Sequence, residues 1–237
     1  MPSHFTRLAA FAFTIAVPAT AQAQAYQCTI PSAPISVPQV EQDGPTRQMD
    51  IMGYTLALSW SPEFCRFRED SARHARQCSG ESGRFGLVVH GLWPEGRNSW
   101  PQYCPVRREL TADDIRANMC ISPSAEMLVH EWQKHGSCMG VHPETYFAVT
   151  RILWNSLRIP DLDRLSRREG LTVGDLREAF AVANRYWEPE MIGIDLNQRG
   201  WLEEIRLCYA EDFKPIRCTP QQFGVDDDTD MSIWRGL

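Results

Sequence analysis

Apolar positions recur along this chain with two periods, and the segments they mark fall in a definite order. Tyr54-Thr-Leu-Ala-Leu-Ser-Trp60 is rich in bulky and β-favouring residues and ends at Ser61-Pro62, which predicts a strand. Residues 65–83 are Arg-rich, closed by Cys78, Gly80 and Gly83, and read as a loop or short helix. Phe85-Gly-Leu-Val-Val-His90 is a short apolar run, as expected of a buried central strand that stops at Gly91 and holds His90 at its end. A helical period follows. Thr111 with Asp114 three residues on forms a capping box that starts a helix to about Met119. Ser122-Pro123 places an N-cap and a first-turn proline before a second helix that runs to Lys134 or His135. A third follows Pro143, with Tyr146, Phe147, Ile152, Leu153 and Leu157 as its apolar face, and Thr172 to Asp175 caps a fourth from Val173 to about Asn184. Trp201 to Tyr209 returns to alternation and predicts another strand. Strands bracket a run of helices, so the expected class is α+β: a central antiparallel sheet packed with several helices.

Composition supports a folded chain and adds a leader. With 237 residues, 43% hydrophobic and 23% charged, one domain of ordinary size fits and disorder does not. Arg7, the uncharged apolar run Leu8 to Ala16, and the small-x-small sequences Ala21-Gln-Ala23 and Ala23-Gln-Ala25 have the layout of a secretory signal peptide over 1–25, cleaved after Ala23 or Ala25. No later stretch approaches ~18 uninterrupted apolar residues, so no membrane association is expected. Residues 26–50 carry Pro31, Pro34, Pro38 and Pro45 and read as an extended arm, tied down by Cys28, ahead of a single domain over 51–237.

Export changes the meaning of the eight cysteines, all of which lie beyond the leader. Their number is even and no C-x-x-C pair occurs, so four disulfides are expected in place of a zinc ribbon or a redox motif. Cys208 and Cys218 flank a short polar segment suited to a closed hairpin. The net charge is −6, and loss of the leader removes Arg7 and no acidic residue, leaving −7. That balance opposes tight, non-specific binding to a polyanion, whose affinity rests on phosphate neutralisation, and restricts any nucleic-acid chemistry to a local cationic site.

Titratable groups concentrate in His130-Glu-Trp-Gln-Lys-His135. At ~100° per residue, His130 and Lys134 share one helical stripe and Glu131 and His135 the neighbouring one. A zinc-protease motif needs histidines at i and i+4; these are five apart, about 140° from a common face, and no other cluster suits magnesium, so no metal and no cofactor are expected. Two imidazoles, a carboxylate and an ammonium suit phosphoryl transfer with an internal nucleophile. One neutral histidine takes a proton, a charged one returns it to the leaving oxygen, and the ammonium offsets charge on the non-bridging oxygens. RNA brings that nucleophile as its 2′-hydroxyl.

Val89-His90-Gly-Leu-Trp93-Pro94 and His130-Glu-Trp-Gln-Lys-His135-Gly-Ser-Cys138 resemble the two active-site segments of the ribonuclease T2 family, and Leu56-Ala-Leu-Ser-Trp60-Ser-Pro62 is similar to that family's opening strand. The likeness covers about residues 54–218. It implies an α+β endoribonuclease that cleaves single-stranded RNA to a 2′,3′-cyclic phosphate and then hydrolyses it to a 3′-phosphate. By the same likeness His90 is the general acid, His135 the general base, His130 the phosphate-binding residue, and Glu131 and Lys134 the pair that stabilises the transition state. On the residues alone, His90 and His135 are interchangeable in the acid and base roles. Trp93 resembles a base-binding residue, with a packed core tryptophan as the alternative. The resemblance also implies Cys104–Cys138 and Cys208–Cys218; Cys28, Cys65, Cys78 and Cys120 are left unassigned, with Cys78–Cys120 preferred. RNA is the expected partner of a monomer, secreted or periplasmic. His74 and His142 read as surface residues. The rival readings are a binding protein that has lost catalysis and a zinc hydrolase.

Overall fold

The computed structural model describes residues 28–106 and 108–236; the leader at 1–25 lies outside the described residues. The elements are β1 (Gly53–Trp60), α1 (Ser61–Cys65), α2 (Ala75–Cys78), β2 (Leu87–Glu95), α3 (Ala112–Asn118), α4 (Ala125–Lys134), α5 (Pro143–Ser156), α6 (Leu162–Leu165), α7 (Val173–Ala183), β3 (Ile192–Leu196), β4 (Leu202–Ala210) and α8 (Pro220–Phe223). The four strands form one antiparallel sheet in the order β2-β1-β4-β3.

Strand β1 explains how the sheet serves two purposes. Successive side chains of a strand point to opposite faces. Tyr54, Leu56, Leu58 and Trp60 therefore share one face and join the hydrophobic core with Leu92, Ile205 and Leu207. Thr55, Ala57 and Ser59, all small, occupy the other. Above them the side chains of the flanking strands have room to meet.

Strand β2 departs from the expected form in two respects. It lies at the edge of the sheet, and it continues through Gly91 to Glu95. Pro94, which pairs with Tyr54, is tolerated because an edge strand has one free side. That free side is covered: Val89 N–H donates to Ile121 O (2.7 Å), while the Tyr146 hydroxyl bonds both Leu92 N–H and Leu92 O at 3.2 Å.

Helix starts follow side-chain capping. Thr111 and Thr172 each form the full capping box with Asp114 and Asp175. The cap of α4 is Ser124, which accepts from Met127 N–H, and not Ser122, whose backbone N–H already closes a turn onto Asn118 O. Ile152, assigned to the apolar face of α5, is 66% exposed and faces away from the core. Strand β3 and the short helices α1, α6 and α8 have no counterpart in the sequence-based prediction. All eight cysteines are bonded. Cys104 joins Cys138 and Cys208 joins Cys218; Cys28 joins Cys120 and Cys65 joins Cys78, which corrects the preference for Cys78–Cys120. None of the described helices is long and apolar enough to cross a membrane.

Candidate active site

A bulge in β2 sets the position of His90. Ala57 pairs with Gly91 and Leu58 with Val89, so His90 is the extra residue between them. A bulge resets the alternation of the strand that carries it. Three positions apart, His90 and Trp93 would otherwise lie on opposite faces. Here they share the small-residue face, with ring centroids 5.2 Å apart and nearly perpendicular planes.

Two residues of β4 complete this side of the site. Glu204 pairs with Ser59 and Arg206 with Ala57, so both rise on the same face. Glu204 Oε2 lies 2.6 Å from His90 Nδ1, and Arg206 Nε donates to Glu204 Oε1 at 2.9 Å. Neither residue was singled out from the sequence. The available signal was the Glu-Ile-Arg alternation within an apolar strand, since a charged residue that a sheet buries needs a partner. Burial opposes protonation of His90, but the Glu204 hydrogen bond and the charges of Glu131 and Glu204 outweigh it, and its pKa rises to about 9. Burial pushes the Glu204 carboxyl up, and His90 together with Arg206 more than reverses this, so it lies below the usual range.

Helix α4 supplies the opposite wall, and its two stripes separate. Glu131 and His135 are buried, 2% and 7% exposed, whereas His130 and Lys134 are partly open to solvent. Glu131 Oε2 accepts from Trp93 Nε1 at 2.7 Å, and Oε1 stands 3.6 Å from His90 Nε2. A Cβ at position 91 would collide with the Glu131 carboxylate and lie 2.6 Å from Trp93 Nε1, so this crossing needs glycine. Desolvation raises the Glu131 carboxyl to about 7. His135 ends the helix, its Nδ1 without a protein hydrogen-bond partner and its ring 5.6 Å from that of Trp93. Desolvation, with Lys134, His130 and His90 nearby, lowers it to about 3. His130 is lowered as well, by burial and by Lys134.

Trp93 is thus neither a core residue nor a free platform. It is half-buried, its N–H fixed by Glu131 and its ring set between the two histidines. The turn after the helix is also fixed: a Cβ on Gly136 would lie 2.6 Å from the Trp132 ring, and Cys138 in the same turn bonds Cys104. A cleft of 430 Å³ is lined by His90, Trp93, His130, Glu131, Lys134 and His135 together. Among the described residues no group of three or more His, Cys, Asp or Glu is placed to hold a metal ion.

Residues 51–218 match the model of the Ribonuclease T2 family. A "Probable ribonuclease" of Haemophilus influenzae is 38% identical over 176 residues, covering 70% of this chain and 60% of that protein. "Ribonuclease I" of Escherichia coli is 27% identical over 208 residues, covering 69% and 76% respectively. "Ribonuclease" of Aeromonas hydrophila is 35% identical over 102 residues, and the chain spans only 43% of its length. Among solved structures, trichomaglin, described as a novel S-like ribonuclease, superposes with a TM-score of 0.60 at 18% identity, covering 78% of this chain and 98% of that one. RNase NT, solved with 5′-AMP, gives 0.59 at 20% identity over 78% and 99%. These two likenesses concern the fold; the match over 51–218 concerns the family, and this chain belongs to the ribonuclease T2 family.

Proposed function

We propose that the chain is a metal-independent endoribonuclease cleaving single-stranded RNA. The observation that carries this reading is the opposite displacement of two histidines flanking one tryptophan: His90 held charged, His135 held neutral. General acid–base catalysis needs that division at one pH. The same division supports His90 as acid and His135 as base.

In this mechanism His135 takes the proton of the 2′-hydroxyl as its oxygen attacks phosphorus. The P–O5′ bond breaks, and His90 Nε2 delivers a proton to the departing oxygen. Lys134 balances negative charge on the non-bridging oxygens, His130 holds the phosphate, and Glu131 lines the reacting position. Hydrolysis of the 2′,3′-cyclic phosphate to the 3′-phosphate reverses the two histidine roles, with water in place of the 5′-hydroxyl. DNA lacks the nucleophile and is not cut. Trp93 offers its remaining surface to a base. The ribonuclease names of the relatives support the same activity. The four disulfides suit an exported protein, secreted or periplasmic, acting as a monomer with the arm 26–50 ahead of the catalytic unit 51–237.

The test incubates the purified, oxidised chain with RNA and with DNA, both in EDTA, and identifies product ends. Cyclic phosphate from RNA alone is expected, and His90→Ala or His135→Ala lowers the rate by about a hundred-fold or more. Activity that vanishes in EDTA and returns with zinc overturns the reading, as does undiminished cleavage by either variant.

A further inference from the structure

The arm before β1 meets two side chains of the cleft wall. Asp43 sets both carboxylate oxygens 2.9 Å from Lys134 Nζ and Oδ2 3.9 Å from His130 Nε2. The Tyr103 hydroxyl donates to Asp43 Oδ1 at 2.6 Å and accepts from Asp43 N–H at 3.1 Å. We infer that Asp43 is an internal competitor for the phosphate position, a residue that sets how tightly the site holds substrate and product phosphates. The inference rests on the proposed function, which assigns Lys134 and His130 to the phosphate.

Three observations carry it. First, the carboxylate meets Lys134 with two oxygens of shared negative charge, as the non-bridging oxygens of a phosphodiester would, and two anions this close to one ammonium repel each other. Second, the strap is fastened on either side of Asp43. Cys28–Cys120 anchors its start, and Arg116 donates to Pro31 O and Ala33 O. Beyond Asp43, Arg47 and Gln102 exchange backbone hydrogen bonds at 2.9 and 2.8 Å, and Gln102 Nε2 donates to Pro45 O. Third, Tyr103 holds its contact from the left-handed region, φ 52°, which a bulky residue occupies only under constraint.

Magnitudes make Asp43 a weak competitor and not a plug. It is half exposed, and an exposed pair shifts a binding equilibrium by no more than about five-fold. The tether keeps it near Lys134 at an effective concentration on the order of millimolar. Tyr103 and then Lys134 lower its pKa to about 2, so it stays charged wherever the histidine chemistry operates.

The test compares Asp43→Asn with the oxidised parent and with Glu41→Gln, which removes the same charge from an exposed position on the same arm. Inorganic phosphate is titrated calorimetrically, and kcat and KM are measured on a mixed-sequence RNA oligonucleotide. For Asp43→Asn, phosphate Kd and KM are expected to fall about two- to five-fold with no loss of kcat, the fold-change that such a pair carries. Glu41→Gln leaves both constants unchanged. Unchanged or weaker phosphate binding in Asp43→Asn overturns the inference. So does a fall in kcat at constant KM, which would make Asp43 a support for Lys134, or an equal gain in Glu41→Gln, which would make the effect one of net charge. If no form cleaves RNA, the proposed function fails, while the phosphate titration still decides the role of Asp43.

Discussion

Glu204 sits 2.6 Å from His90 Nδ1, and this contact, together with the charge of Glu131, keeps the histidine protonated in the cleft. Accepting the Nδ1 proton leaves Nε2 as the donating nitrogen, on the side where Glu131 Oε1 stands. Removing the negative charge with Glu204→Gln keeps the shape and withdraws the interaction that raises His90, so the imidazolium loses its proton at lower pH. The proposed mechanism needs His90 charged and His135 neutral. Activity therefore rises with pH as His135 deprotonates and falls as His90 does, centred near pH 6, about midway between 3 and 9. In Glu204→Gln the alkaline limb of kcat/KM is expected to move down by about one to two pH units while the acid limb stays. A purely structural role for Glu204 would lower the whole profile without displacing either limb, and the pH–rate curves of the two proteins decide between these outcomes.

At the level of elements, β2 depends on its bulge and on the glycine beside it. Gly91→Ala would drive a methyl group into the Glu131 carboxylate, displacing it from Trp93 Nε1. Overpacking of this kind costs about 1–3 kcal/mol, which in a chain of this size lowers Tm by roughly 3–10 °C. Misplacement of Glu131 and Trp93 lowers the rate by about a hundred-fold. Thermal melts and RNA assays on one preparation check both, and a variant with parental rate removes the bulge from the account. The same strand shows what the sequence could and could not disclose. Helices capped by Thr111 and Thr172 were legible because a cap is a local contract between residues three apart. Strand β2 was cut short because Gly91 read as its end, a rule that a bulge suspends, and Pro94 beyond it is tolerated on an edge strand. Strand β3 has five residues, Ile192–Leu196, and takes its partners from β4 and from Val225, far along the chain. The segments around His90 and His130 stood out because their chemistry is contiguous. Glu204, Arg206, Tyr103 and Asp43 join the site only through pairing and closure over long separations, as Cys28–Cys120 closes across 92 residues, while Cys65–Cys78, 13 apart, joins the ends of α1 and α2.

Over the whole molecule, charge limits how RNA is held. The chain carries 24 basic and 30 acidic residues, and the cations facing the cleft are few and already engaged. Lys134 meets Asp43, and Arg206 meets Glu204 and Asp195. Such a site neutralises one or two phosphates. For single strands each phosphate contact contributes about −0.7 to the slope of log affinity against log salt, so the slope here is about −0.7 to −1.4. Repulsion between an acidic protein and RNA weakens as salt rises, which makes the dependence shallower still. Between 50 and 200 mM salt the KM for an RNA oligonucleotide is therefore expected to rise by no more than about seven-fold, with kcat nearly constant. A slope steeper than about −2 would mean that RNA is gripped along an extended cationic surface beyond the cleft. A shallow slope is what brief binding and rapid release require, with the phosphate held at one point by a lysine that an internal carboxylate already shares.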